Sequence, residues 1–175
     1  MRKIVVLGTL FLLCIPAANL LIQHVGTTCI TNGPCLIPVA PGLMAPSGVL
    51  LIGLALALRD ALQQHASSRV VFGCIVGGGL LSLLFSPPAL AIASALAFLL
   101  SELADWAVYS RLRQRGLHAA ILLSGLVGAV LDSLLFGLLA FGTIKWSAGL
   151  VLAKLYASAA FAAWAWHRSA TTTPR

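Results

Sequence analysis

Charge is scarce in this chain, and negative charge is scarcest: charged residues make up 9% of it, with 11 Lys and Arg against 4 Asp and Glu. So little polar surface cannot cover a soluble globule of 175 residues. Long polar stretches are also missing, so nothing serves as a linker; a single domain is expected over 1–168, followed by a short tail at 169–175. Histidine is absent from the interiors of the apolar segments, since His24, His65, His118 and His167 all fall at their ends. Ser94, Ser101 and Ser124 therefore have no general base, and no enzyme is expected. The run GCIVGGG lacks the preceding strand and the following Lys and Ser/Thr of a phosphate-binding loop, and it is read as a site of close helix packing. No cofactor or metal is expected, because two carboxylates without a His or a third acid nearby make a weak ligand set. The net charge of +7 is scattered over short connections without a groove-binding motif, which excludes nucleic acid as a partner.

What is abundant is apolar: 60% of residues are hydrophobic and the mean hydropathy is +1.02. These values mark an integral membrane protein, with the lipid bilayer as its first partner. A helix needs roughly 20 mostly apolar residues to span the hydrocarbon layer. Six segments qualify, near Ile4 to Ile22, Pro46 to Leu62, Val70 to Phe85, Pro88 to Tyr109, His118 to Phe141 and Trp146 to Trp166. The fold class is thus an all-α bundle of six transmembrane helices. The second segment is the shortest in apolar content, because Arg59 and Asp60 interrupt it.

Lys and Arg set the orientation, since short loops rich in them stay in the cytoplasm. Arg2, Lys3, Arg69, Arg111, Arg113, Arg115, Arg168 and Arg175 fall on one side and only Lys145 on the other, so both termini are expected to be cytoplasmic. A secretory signal peptide shares the basic start and apolar core of the first segment. Removing it would leave five helices and spoil the charge alternation, and Leu13 fills the small-residue position that a lipoprotein site before Cys14 requires. The longest connection, Gln23 to Ala45, lies on the outer side and carries Cys29 and Cys35 around a turn of Asn32, Gly33 and Pro34. A disulfide and two free thiols are both compatible with that spacing. Cys14 and Cys74, inside helices, are read as small core residues.

All four acids, Asp60, Glu102, Asp105 and Asp132, lie within the predicted helices, joined there by Arg59 and Lys154. Each ionised carboxylate in hydrocarbon costs at least about 2.5 kcal/mol on insertion scales, so such groups pair, face the bundle interior or line a pathway. Counting depth at about 1.5 Å per residue gives an inner cluster of Arg59, Asp60, Glu102 and Asp105 and an outer cluster of Asn19, Asp132 and Lys154. Glu102, Asp105 and Tyr109 share one helical face, with Ser101 one turn before Asp105. Ser124, Gly128 and Asp132 recur every four residues on the fifth helix, where the glycine admits a neighbour. The competing account of both faces is polar glue between helices. Trp146, Trp164 and Trp166 read as interfacial anchors, whereas Trp106 and Tyr109 lie close enough to Glu102 to stack on a ligand.

Three stretches, PSGVLLIGLALALRDALQ, ALAFLLSELADWAVYSRLR and SGLVGAVLDSLLFGLLAFG, resemble the vitamin-uptake-transporter-like family that includes the queuosine precursor transporters. With the first helix and its loop, the resemblance covers most of Ile4 to Gly142. It implies a six-helix protein of the cell inner membrane that takes up 7-deazaguanine precursors of queuosine. A guanine-like edge presents adjacent N–H donors to a carboxylate, and a ring face can stack on aromatics. On that basis Glu102 or Asp105 would take the edge, Asp132 or Asp60 a cationic substituent, and Trp106 or Tyr109 the ring. Other readings stay open: a substrate-binding membrane subunit that needs a separate energising module, or a non-transporting scaffold whose buried charges only fix helix registry. A homo-oligomer is open as well.

Overall fold

In hydrocarbon every backbone N–H and C=O must be satisfied within the chain, and the long apolar runs satisfy theirs as helices. The computed structural model describes residues 1–31, 33–86, 90–144 and 147–171, with side chains at 117, 118, 158 and 161–171 left aside. Asn32, Pro88, Lys145, Trp146 and Arg175, and the side chains of His118, Trp164, Trp166, His167 and Arg168, lie outside the described residues.

The described residues form six helices: α1 (Arg2–His24), α2 (Val49–His65), α3 (Ser68–Phe85), α4 (Ala91–Leu112), α5 (Leu117–Phe141) and α6 (Ser147–Thr171). Among them α1, α3, α4 and α5 are long and apolar enough to cross a membrane. Large apolar side chains such as Leu84, Ile92 and Leu122 point outward, as lipid-facing residues do. α6 runs on to Thr171, into the stretch expected to be tail. α5 ends on Gly142, whose φ of 66° places it in the left-handed region that closes a helix with its N–H on the carbonyls of Gly137 and Leu138.

The expectation of an all-α chain needs correction in the long connection. It holds a three-stranded antiparallel sheet, β1 (Thr28–Cys29), β2 (Cys35–Ala40) and β3 (Leu43–Pro46), in the order β1-β2-β3. Two local devices build it. Pro41 and Gly42 form the β2–β3 turn, with Gly42 at φ 74° as a Pro-Gly turn requires. At the other hairpin Cys29 and Cys35 are cross-strand partners joined by a disulfide. Pro46, expected to open the second helix, instead ends β3, and α2 begins at Val49.

The helices pack through small residues. α2 lies against α1 and α6, while α4 lies against α3 and α5. A Cβ added at Gly48 would meet the carbonyl oxygen of Ala18 on α1, and one at Gly53 would come within 2.8 Å of the Lys154 backbone on α6. On α3, Gly78 and Gly79 make room for Phe98 and Leu99 of α4. Phe98 also meets Phe11, with ring centroids 6.0 Å apart, in a core shared by α1, α2 and α4.

This geometry predicts that Gly53→Val, which forces α2 away from α6, costs about 1–3 kcal/mol. It should lower the thermal midpoint of the purified protein in detergent. Gly73→Ala, at a site where a Cβ meets nothing within 4 Å, should leave the midpoint unchanged or raise it.

Candidate functional site

Arg59 is fully buried, and its planar fork of donors determines what must surround it. Its Nε donates to Glu102 Oε2 at 2.9 Å, its Nη1 to Gln63 Oε1 at 3.0 Å, and its Nη1 lies 2.9 Å from Asp60 Oδ1. Its Nη2 pairs with Asp105 Oδ2. Gln63 sits one turn beyond Arg59 on α2, and Glu102 and Asp105 stand one turn apart on α4, so helical spacing alone presents these groups together. Asp105 fits because Gly128 of α5 lies against it; a Cβ there would fall 2.8 Å from Asp105 Oδ2. The cluster holds one guanidinium and three carboxylates, a formal charge of −2 when all are ionised.

A second group lies nearer the sheet. Lys154 Nζ pairs with Asp132 and donates to Ser133 Oγ at 2.9 Å. Ser133 in turn donates to the carbonyl of Ala129 on its own helix, which fixes the acceptor. This pair is formally neutral. It lies on the wall of a cleft that, counted with its open mouth, holds about 540 Å³ of empty space. Helix ends on the sheet side of all six helices contribute to the lining, including Asn19, Ser82, Ser94, Phe98, Phe136 and Lys154. Asn19 is held from both sides: its Nδ2 donates to the Ile15 carbonyl at 3.0 Å and its Oδ1 accepts from Ser86 Oγ at 2.9 Å. Most of the remaining lining is apolar, which suits a solute with a flat face and a few polar edges.

Ser101 connects the two groups. Its Oγ donates to the Phe98 carbonyl at 3.0 Å and reaches Asp132 Oδ1 at 3.4 Å, while the next residue, Glu102, belongs to the arginine cluster. Arg59, Asp60, Glu102 and Asp105 are thus brought together, and Asn19, Asp132 and Lys154 share the cleft. Trp106 and Tyr109 are placed elsewhere. Trp106 packs on the cluster of Leu62, Val71 and Ile75, and Tyr109 is buried with Arg113 over its ring at 6.0 Å. The aromatic rings in the cleft are Phe98 and Phe136, which sequence reasoning passed over. Their signal was present: Phe136 follows Asp132 by four residues and Phe98 precedes Glu102 by four. Gln63, four residues after Arg59, was missed in the same way. Cys29 and Cys35 lie in the sheet, outside the cleft lining.

Removing one partner of a buried ion pair leaves an unpaired charge, at a cost of about 3–5 kcal/mol. Asp132→Lys and Lys154→Asp alone should therefore each lower the yield of folded protein and its thermal midpoint. The double exchange should recover most of the loss, as read by size-exclusion chromatography and thermal unfolding in detergent.

No curated protein and no solved structure matches the chain. A family model does: residues 42–171, from the sheet through α6, match the family described as "Putative vitamin uptake transporter". The match takes in both charged groups and every helix that carries them. With most of its length covered, this multi-pass membrane protein belongs to the vitamin uptake transporter family.

Proposed function

We propose that the protein is an importer of the cell inner membrane for a small polar heterocycle, best fitted by a 7-deazaguanine precursor of queuosine. In this reading all six helices span the bilayer and both termini are cytoplasmic, so the sheet and the cleft mouth face outward. A solute arriving from outside meets the open end of the cleft first.

The observation that carries the reading is the Asp132–Lys154 pair on an otherwise largely apolar cleft wall. A guanine-like edge offers a carbonyl oxygen beside N–H donors. Lys154 supplies a donor for the first and Asp132 an acceptor for the second, so one balanced pair matches both halves of the edge. Phe98 and Phe136 take the ring face, and Asn19 takes a peripheral polar group. Glu102 and Asp105, engaged with Arg59, act in this proposal as the support beneath the site.

Uptake of labelled 7-deazaguanines in cells that neither make nor import them tests the proposal. Expression of the chain should confer uptake that unlabelled precursor competes away. Charge-assisted hydrogen bonds contribute about 1.5–3 kcal/mol, so Asp132→Asn should reduce uptake about tenfold or more at equal protein level. Trp106→Phe should stay within about twofold, because its ring lies outside the cleft. Full uptake by Asp132→Asn, or uptake of small vitamins but no deazaguanine, would refute the assignment.

A further inference from the structure

The cleft is lined at its sheet end by Ile22, Pro46 and Gly48; toward the opposite face it is bounded by Asp132, which Ser101 meets, with the arginine cluster beyond them. We propose that the seam between α2 and α4 is the gate through which the cleft opens to that opposite face, and that Arg59 is the clasp holding it shut.

Four observations converge on this seam. First, the two helices make their main contacts elsewhere, α2 on α1 and α6, α4 on α3 and α5, and the apolar side chains they share, Leu58 with Phe98 and Leu62 with Trp106, lie in clusters completed by α1 and α3. Second, polar side chains bridge the gap between them. Arg59 reaches Glu102 and Asp105; one turn on, Gln63 Nε2 donates to Ser110 Oγ at 3.2 Å; and Arg113 Nη1 donates to the Gln63 carbonyl at 3.3 Å. These rungs continue the polar file that starts in the cleft, running from Lys154 and Asp132 through Ser101 to Glu102, Arg59, Gln63 and Ser110. A polar solute leaving the cleft in this direction follows hydrogen-bonding groups instead of lipid-like surface.

Third, the energetics of such a seam are those of a two-position element. While it is dry, each rung is an ion pair or hydrogen bond in a medium with few competitors, and breaking one leaves buried groups unpaired. Once water enters, each broken rung is replaced by bonds to water at small net cost. An interdigitated apolar seam has no such second state. Fourth, the hydroxyl of Tyr109, one turn after Asp105 on α4, is buried with no hydrogen-bond partner among the described residues. Unpartnered buried polar groups are rare. Wetting the seam would give this one a partner, which favours the open position.

The gate rests on the transporter reading for its purpose, but its test reads accessibility alone. Cys14 and Cys74 are replaced by Ala, and Ser94→Cys in the cleft serves as the reporter. Protein in vesicles of known sidedness is treated with a membrane-impermeant maleimide from each side. The parent should label from the sheet side only. Arg59→Gln should raise labelling from the opposite side about tenfold or more with the sheet-side rate unchanged. A folded Arg59→Gln protein without that rise overturns the proposal, as does a parent that labels equally from both sides. Where Arg59→Gln does not fold, Gln63→Ala combined with Ser110→Ala removes one rung; a rise of about threefold is then expected, and no rise overturns the gate. Because no solute is involved, the gate can fail while uptake stands, and deazaguanine uptake can fail while the gate stands.

Discussion

A guanidinium cut off from water needs an acceptor along every donor direction, and Arg59 imposes that demand on half of the bundle. Its fork is met by Gln63 and Asp60 on its own helix and by Glu102 and Asp105 across the seam. Asp105 in turn reaches Arg59 only because α5 presents Gly128 where any other residue would place a Cβ against the carboxylate. Thus one charge fixes the relative positions of α2, α4 and α5. Apolar surface could not do this in a bilayer, since lipid tails compete equally well for it and only close packing and polar bonds distinguish one helix arrangement from another.

The second charge on the bundle interior works differently. Lys154 is balanced by a single carboxylate, and its helix approaches α2 at Gly53, whose missing Cβ brings the backbones together beside the pair. The neutral pair faces the cleft, where a ligand can exchange with its partners at little electrostatic cost. The arginine cluster, with its formal surplus of negative charge, is shut away behind it. Ser101 touches Asp132 and precedes Glu102, so the two charged groups meet within one turn of α4. The proposed recognition at the first group and the proposed closure at the second would therefore be one connected piece of chemistry.

The sequence carried the depth of each charged residue well. Counting residues along helices put Asp132 level with Lys154 and Arg59 level with Glu102 and Asp105, and the structure pairs these groups. Spacing along one helix also exposed the role of Gly128 as a point of approach. What counting cannot supply is direction around the helix axis relative to neighbours not yet placed. Tyr109 shares the face of Glu102 and Asp105, yet that face is filled by Arg59, so the ring never reaches the cleft; Phe98 and Phe136 do. The sheet escaped for another reason. Its strands are short, carry prolines at Pro38 and Pro46, and are held by a turn and a disulfide instead of by an alternating apolar pattern.

The same reasoning explains why α2 falls short of the length and composition that mark α1, α3, α4 and α5 as able to cross a membrane. α2 has 17 residues, about 26 Å at 1.5 Å per residue, slightly less than the hydrocarbon thickness. More than half of them are buried, including Arg59, Asp60 and Gln63. A helix ringed by protein does not need an apolar surface, because its polar groups meet partners and not lipid. Its neighbours α1 and α6 flank it. Composition tests whether a helix can face lipid. α2 is built to face Glu102, Asp105 and Lys154, so its polarity is the expected mark of a helix buried within the bundle.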